Sequence, residues 1–230
     1  MLQLPKVIGH RGAKAYALEN TLASFREARR RGATWVEIDV KLTSDGVPII
    51  MHDASLKRTM GVDRLVAETP CAELPKDVPT FEEAIACFQE LGLGCNVEIK
   101  PCAGREVETA RVTVATLRRY WPSTLPSPLL SSFKEAALVA ARAAAPEFAR
   151  AILLDELADD WRARADGVGA LGVNTNGEKL AAAWAGEIKR AGFALSVYTI
   201  DDPALAKSLV GMGVDCVITD MPDVILAALN

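Results

Sequence analysis

The sequence predicts an α/β fold, specifically a (β/α)8 barrel. Short apolar runs alternate with helical stretches along all 230 residues. The runs are mostly continuous, as in parallel strands buried on both faces. Setting one run aside, their number is eight, and eight strand–helix units over this length favour a closed barrel. An open doubly wound sheet is the alternative, but it favours a GxGxxG turn, whereas the first turn reads GHRGA.

The predicted elements follow directly from this alternation. The strand-like runs are residues 7–10, 35–42, 48–52, 95–100, 128–132, 149–154, 171–174, 195–200 and 216–220. The predicted helices are residues 20–31, 81–91, 106–121, 134–145, 157–165, 178–191, 203–212 and 222–229. Asn20 is a candidate N-cap for the first helix, and Gly32 is its stop.

The run at residues 48–52 is the one outside the set of eight. Asp45-Gly46 separates it from residues 35–42 and is a strong two-residue turn signal. The two runs therefore predict a hairpin, with the second strand added at the barrel mouth. The following segment, about residues 53–80, is predicted as a short insertion, and residues 1–230 are predicted to form one domain.

Composition excludes several classes of function. The net charge is −4, which provides no basic field for nucleic acid and no polybasic patch for a membrane. No apolar run approaches about 18 residues, so we expect no membrane anchor. The five cysteines form no CxxC pair, and no signal peptide is evident, which favours a cytoplasmic protein. Barrels of this size often pair, so a homodimer is one expectation.

Charged residues interrupt two of the predicted buried strands. In VEIDV, Glu37 and Asp39 are two residues apart and therefore point to the same face of the strand. NVEIKP repeats the pattern with Glu98 and Lys100. Single carboxylates at strand ends are most often helix caps or salt-bridge partners. Three that converge on one barrel mouth instead favour a hard divalent cation, Mg²⁺ or Ca²⁺.

The only two histidines of the chain, His10 and His52, both end predicted strands. A lone buried histidine is usually structural, but two at one barrel mouth can serve as base and acid in one turnover. Arg11 either pairs with a carboxylate or holds an anion through two of its guanidinium nitrogens. With a metal and Lys100, these groups form a set able to break a phosphate ester.

Five motifs in this order resemble the glycerophosphodiester phosphodiesterase family. They are HRG…ENT, EIDVKLTSDGVPIIMHD, NVEIKP, SSF and GVDCVITDMPD, and they extend from Val7 to Asp223. The resemblance implies a (β/α)8 barrel that hydrolyses glycerophosphodiesters to glycerol 3-phosphate and an alcohol, using Ca²⁺ or Mg²⁺. Glycerophosphocholine and glycerophosphoethanolamine are examples of such substrates.

The resemblance also implies roles for individual residues. It implies that His10 and His52 are the acid/base pair, and it leaves open which of them is the acid and which is the base. Glu37, Asp39 and Glu98 are implied as metal ligands, and Arg11 and Lys100 as phosphate contacts. Asn20 and Tyr198 are implied as polar and aromatic pocket residues, and Glu19 and Asp53 as supporting residues; Ser131 is a weaker match.

The chain departs from the family at three places. Leu18 stands where the family usually has proline before ENT, Tyr198 stands where it often has tryptophan, and the segment after His52-Asp53 is short. The nucleophile remains open between the substrate's own glycerol hydroxyl and water. Two alternative functions remain: a lysophospholipase D-like activity on lysophospholipids, and a barrel that binds a phosphodiester without catalysis.

Overall fold

The computed structural model describes residues 2–230 and contains a closed ring of eight parallel strands, as the sequence predicts. The strands of the ring are β1 (Val7–Gly9), β2 (Trp35–Leu42), β4 (Gly94–Ile99), β5 (Leu129–Ser132), β6 (Ala149–Leu154), β7 (Gly172–Asn176), β8 (Ala194–Tyr198) and β9 (Cys216–Thr219). Each strand pairs in parallel with the next, and β1 closes the ring by pairing with both β9 and β2.

The extra strand β3 (Pro48–Ile50) lies outside the ring and pairs antiparallel with β2, which confirms the predicted hairpin. The prediction of a two-residue turn is wrong. The Thr43 N–H donates to Val47 O at 3.1 Å, so three residues form the loop. Gly46 is the last of them, with φ at +79°, a conformation that glycine adopts without strain.

Nine α-helices occur within residues 2–230, most of them between the strands. They are α1 (Leu22–Arg30), α2 (Lys57–Met60), α3 (Phe81–Leu91), α4 (Glu106–Tyr120), α5 (Glu135–Ala144), α6 (Trp161–Val168), α7 (Ala182–Arg190), α8 (Pro203–Gly211) and α9 (Pro222–Leu229). The prediction of Asn20 as the first N-cap is wrong. Thr21 caps α1 by accepting from the Ser24 N–H, and Asn20 precedes it with φ at +57°.

Apolar side chains fill both faces of the ring. On the outer face, alternating residues such as Val36, Ile38 and Val40 pack against helices in two large clusters. A smaller cluster inside the barrel contains Ile8, Trp35, Leu129, Ala151, Cys216 and Ile218. Trp35 lies directly over Gly94, where an added Cβ would approach the indole ring to 2.3 Å. The lumen is therefore a packed core, and open space is left at its carboxyl end.

The short insertion, predicted at about residues 53–80, has its own small core. It contains α2 and two 3₁₀ turns, Val66–Glu68 and Cys71–Glu73. Ile49, Met51, Leu56, Val66 and Val78 form its apolar cluster. This packing fixes the insertion against the hairpin and thus against the barrel mouth. No helix among residues 2–230 is long and apolar enough to span a membrane.

Candidate active site

A cavity of about 150 Å³ opens at the carboxyl ends of the barrel strands. Most of the polar residues that the sequence predicts for a site line this one cavity. They are His10, Arg11, Glu37, His52, Glu98, Lys100 and Tyr198. In a (β/α)8 barrel this face carries the loops and strand ends that build active sites. The structure therefore brings the two histidines, two of the three acidic residues and both cations into one place.

Three carboxylates meet in the lumen below the histidines. Oxygens of Glu37, Asp39 and Glu98 lie within 4.8 Å of one another, and all three residues are buried. The sheet register explains this, because Asp39 on β2 pairs directly with Glu98 on β4. Glu37 is two residues before Asp39 and shares its face. The predicted convergence of these residues is confirmed, and the cluster could bind a metal ion.

Burial and mutual repulsion separate the pKa values of these carboxyls. Burial, then the charges of Asp39 and Glu98, raise the pKa of Glu37 well above its usual value. Burial and Asp39 raise the pKa of Glu98 to about 7. Burial would also raise the pKa of Asp39, but Lys100 and Arg11 outweigh it and lower that pKa. The cluster is thus short of positive charge, and its all-oxygen donor set fits Mg²⁺ or Ca²⁺.

His10 follows the last residue of β1 and is held by a carboxylate from the other end of the chain. Its Nδ1 lies 2.6 Å from Asp220 Oδ1, and its Nε2 lies 4.0 Å from Glu37 Oε2. A proton on Nδ1 that donates to Asp220 leaves Nε2 directed at the acidic cluster. Asp220 was not assigned a role from the sequence. The feature of the sequence that could have indicated a role is the position of Asp220 in the TDMPD motif, directly after the last strand of the ring.

His52 lies two residues beyond β3 and is held in the same way. Its Nδ1 lies 2.6 Å from Oδ1 of the adjacent Asp53. Burial lowers the pKa of His52, and this effect is partly opposed by the charge of Asp39. The hairpin therefore delivers a second imidazole from outside the ring to the cavity that contains His10. Asp53 has the supporting position that the resemblance implies.

Arg58 on α2 connects the two sides of the site. Its Nε donates to Asp53 Oδ2 at 2.6 Å, and its Nη1 and Nη2 donate to the two oxygens of Glu19 at 2.9 and 2.7 Å. Glu19 also accepts from Arg11 Nη1 at 2.7 Å. These contacts lower the pKa of Glu19 and of Asp53 to about 2, against burial that opposes the shift. Sequence reasoning missed Arg58 because it lies in the insertion.

Arg11 adopts an unusual backbone conformation, with φ at +51°. Three hydrogen bonds hold it there: its N–H donates to Glu37 Oε2, and its carbonyl accepts from the Asn20 N–H and from Ser24 Oγ. Strain of this kind is typical of functional sites. The conformation directs the guanidinium Nε to 3.3 Å from Asp39 Oδ2.

Lys100 follows the last residue of β4, across the acidic cluster from Arg11. Its Nζ lies 3.0 Å from Glu98 Oε1 and 3.2 Å from Asp39 Oδ1. Burial alone would lower the pKa of Lys100, but Asp39 and Glu98 raise it. Arg11 and Lys100 are therefore two cations fixed at the mouth of one cavity, where each faces the carboxylates of β2 and β4.

The resemblance implies that Asn20 and Tyr198 are both pocket residues, but only Tyr198 lines the cavity. Asn20 does not line the cavity; it is buried, and its Nδ2 donates to Asp39 Oδ2 at 2.8 Å. Asn20 has a left-handed backbone conformation and lies next to Arg11, because its N–H donates to the Arg11 carbonyl. Tyr198 does line the cavity, with its ring packed edge-on against Phe133. The buried hydroxyls of Tyr198 and Ser131 have no hydrogen-bond partner within residues 2–230.

Comparison with known proteins agrees with this geometry. The profile of the glycerophosphoryl diester phosphodiesterase family matches residues 10–224. Human glycerophosphodiester phosphodiesterase 1 is 42% identical over 120 residues, which are 45% of this chain and 36% of the human protein. The match to this human relative thus spans about a third of its length.

Solved structures match over nearly the whole chain. A phosphodiesterase from Oleispira antarctica, solved with its product sn-glycerol-3-phosphate, superposes with a TM-score of 0.95. It is 39% identical, and the match covers 98% of this chain and 97% of that one. The glycerophosphodiester phosphodiesterase from Thermotoga maritima has a TM-score of 0.81 at 26% identity, covering 99% of each chain. The chain therefore belongs to the glycerophosphoryl diester phosphodiesterase family.

Proposed function

We propose that residues 1–230 form one catalytic domain that hydrolyses glycerophosphodiesters to sn-glycerol 3-phosphate and an alcohol. The observation that carries this proposal is the arrangement of the two histidines. Each has its Nδ1 held by a carboxylate at 2.6 Å, and both line the cavity that contains the acidic cluster and two cations. An anionic phosphorus centre between two imidazoles is the substrate that this arrangement suits best.

The histidines act as general base and general acid. With Nδ1 protonated and bound to Asp220 or Asp53, each imidazole presents Nε2 to the substrate. One neutral imidazole removes the proton of the attacking hydroxyl through Nε2, and the other, protonated on both nitrogens, gives its Nε2 proton to the leaving alcohol. The lowered pKa of His52 keeps it neutral at neutral pH, as a base requires. The opposite assignment of the two roles, and attack by either glycerol hydroxyl or water, fit the same geometry.

The charged residues divide into two groups. Glu37, Asp39 and Glu98 would hold Mg²⁺ or Ca²⁺, which supplies the positive charge that stabilises a phosphoryl oxygen. Arg11 and Lys100 bind and orient the phosphate from the cavity wall. Asn20 holds Asp39 in place, and Tyr198 forms part of the wall beside the phosphate site.

The Oleispira relative supports the choice of product, since it was solved with sn-glycerol-3-phosphate. Glycerophosphocholine and glycerophosphoethanolamine are suitable test substrates. All five cysteines are free thiols, which supports the proposal of a reducing, cytoplasmic compartment. The alternatives, hydrolysis of lysophospholipids and binding without catalysis, are outcomes of the experiment below.

The experiment measures release of sn-glycerol 3-phosphate from glycerophosphoethanolamine with Mg²⁺, with Ca²⁺ and with EDTA. We expect activity with a divalent cation and none with EDTA. Activity on lysophospholipid but not on the water-soluble diester would support the first alternative. Diester binding without any product would support the second.

The metal site has a separate test that needs no turnover. Titration calorimetry with Mg²⁺ or Ca²⁺ should show affinity weakened at least about tenfold in Glu37→Gln, because a carboxylate ligand contributes directly to binding. Glu90→Gln is the matched control, since Glu90 is exposed and pairs with Arg26 on the outer surface. Equal affinities in all three proteins would refute the ligand assignment.

A further inference from the structure

A second cavity of about 230 Å³ adjoins the active site at Lys100. The two cavities share Glu98, Lys100 and Phe133, so they meet at the proposed phosphate site. The second cavity is also lined by Lys41 and Lys134. We call it the lysine annex, after Lys41, Lys100 and Lys134. A group attached to a phosphate beside Lys100 can extend into this annex.

Two of these lysines have no acidic partner. Within residues 2–230, Lys100 pairs with Asp39 and Glu98, whereas Lys41 and Lys134 form no ion pair. Lys41 is only 3% exposed, and its Nζ donates one hydrogen bond, to Lys100 O at 2.9 Å. An ammonium group has three N–H donors, and burying its charge is costly unless an anion compensates it. The annex is thus lined by three lysines and one carboxylate, that of Glu98, which already pairs with Lys100.

The three lysines make the annex a poor site for a cationic head group. A quaternary ammonium is bound by the open faces of aromatic rings. One face of Phe133 already meets the Lys100 ammonium, which lies 5.8 Å from the ring centroid. The Phe133 and Tyr198 rings pack edge to face, so this contact covers part of each ring. A choline placed here would meet the like charges of Lys41, Lys100 and Lys134.

We propose that the lysine annex binds an anionic group of the leaving alcohol, so that the enzyme prefers acidic glycerophosphodiesters. This inference rests on the proposed function and narrows its substrates to one chemical class. The glycerol arm of every glycerophosphodiester is uncharged, and the phosphate lies in the main cavity. An anion in the annex must therefore belong to the other arm, as a carboxylate or a second phosphate.

The test compares substrates that differ only by that anionic group. Glycerophosphoserine differs from glycerophosphoethanolamine by one carboxylate, and glycerophosphoinositol 4-phosphate differs from glycerophosphoinositol by one phosphate. We expect kcat/KM to favour the acidic member of at least one pair by about fivefold, and the preference to shrink at high salt. Which pair shows it identifies the anion.

Variants attribute the preference to the annex. In Lys134→Gln the ratio of kcat/KM within that pair should fall toward one, and in Lys41→Met it should fall further. Lys207→Gln is the control, because Lys207 is exposed on α8 and forms no ion pair in the part of the chain that the structure describes. A ratio within each protein is insensitive to a general loss of activity, and thermal unfolding shows whether the Lys41 variant folds.

A binding measurement separates this inference from the proposed function. Calorimetry with O-phosphoserine and O-phosphoethanolamine needs no catalysis and tests the carboxylate directly. If no diester is hydrolysed but O-phosphoserine binds more tightly than O-phosphoethanolamine, only the proposed function fails. If diesters are hydrolysed but neither pair is discriminated, or the ratio is unchanged in Lys134→Gln, the annex proposal is overturned.

Discussion

Arg58 Nε lies 2.6 Å from Asp53 Oδ2, on the side of Asp53 opposite to the His52 imidazole. The same guanidinium binds both oxygens of Glu19, which in turn binds Arg11. One side chain of the short insertion thus connects His52, which follows β3, with Arg11, which follows β1. The insertion therefore contributes to the positioning of residues that line the site.

We expect Arg58→Gln to lower kcat/KM by about 10- to 100-fold, the usual effect of removing a residue that orients a functional group. His52 and Arg11 remain present but lose their fixed orientation, so Arg58→Lys should recover part of the rate. Steady-state kinetics on a soluble diester measures both. Arg64→Gln is the control, because Arg64 pairs with Glu73 on the surface of the same insertion. A normal rate in Arg58→Gln would show that the contacts with Glu19 and Asp53 are dispensable.

Asp220 holds His10 as Asp53 holds His52. Asp220→Asn should lower kcat about 100-fold, because an amide at this position no longer favours the imidazole with its proton on Nδ1. The KM for the diester should change little, since Asp220 does not line the cavity. Asp223→Asn tests the same chemical change three residues away, where Asp223 bonds Tyr16 and Arg31. Equal kcat values for the two variants would contradict the role of Asp220.

The acidic cluster predicts an unusual dependence of stability on pH. The pKa of Glu98 rises from its usual 4.5 to about 7 in the folded protein, and that of Glu37 is also raised. Between pH 4.5 and about 7, the folded state binds more protons than the unfolded state. The stability that the protonated Glu98 carboxyl contributes is therefore fully present below pH 4.5 and lost as the pH rises through about 7.

In thermal unfolding with EDTA, the acidic cluster should therefore make Tm fall as the pH rises from about 5 to 8. This fall in Tm should be smaller in Glu98→Gln. Excess Mg²⁺ or Ca²⁺ should raise Tm more at the upper end of this range, because the ion competes with protons for the same oxygens. A Tm difference between wild type and Glu98→Gln that is independent of pH would argue against raised pKa values in the cluster.

The sequence predicts the fold and most of the site because both depend on local patterns. Continuous apolar runs identify the strands, and alternation within β2 and β4 places Glu37, Asp39 and Glu98 in the lumen. What the sequence cannot show is contact between distant segments. The bond between His10 and Asp220 joins residues at opposite ends of the chain, and Arg58 acts from a segment without regular periodicity.

Asn20 shows a different limit. Its residue type is equally suited to an N-cap and to a polar site, and the choice depends on the backbone at a single position. A left-handed φ at Asn20 moves the cap to Thr21 and turns the amide toward Asp39. Apolar periodicity carries no information on such a turn.

The central claim is that His10 and His52 act on one phosphorus in one reaction. The most direct test measures sn-glycerol 3-phosphate release by His10→Ala, His52→Ala and the double variant, with Mg²⁺ or Ca²⁺ present. Each single variant should be about 10²- to 10⁴-fold slower, and the double variant should be little slower than the slower single one, because residues that act as a unit have non-additive effects. A variant that retains the wild-type rate, or losses that simply multiply, would contradict the account.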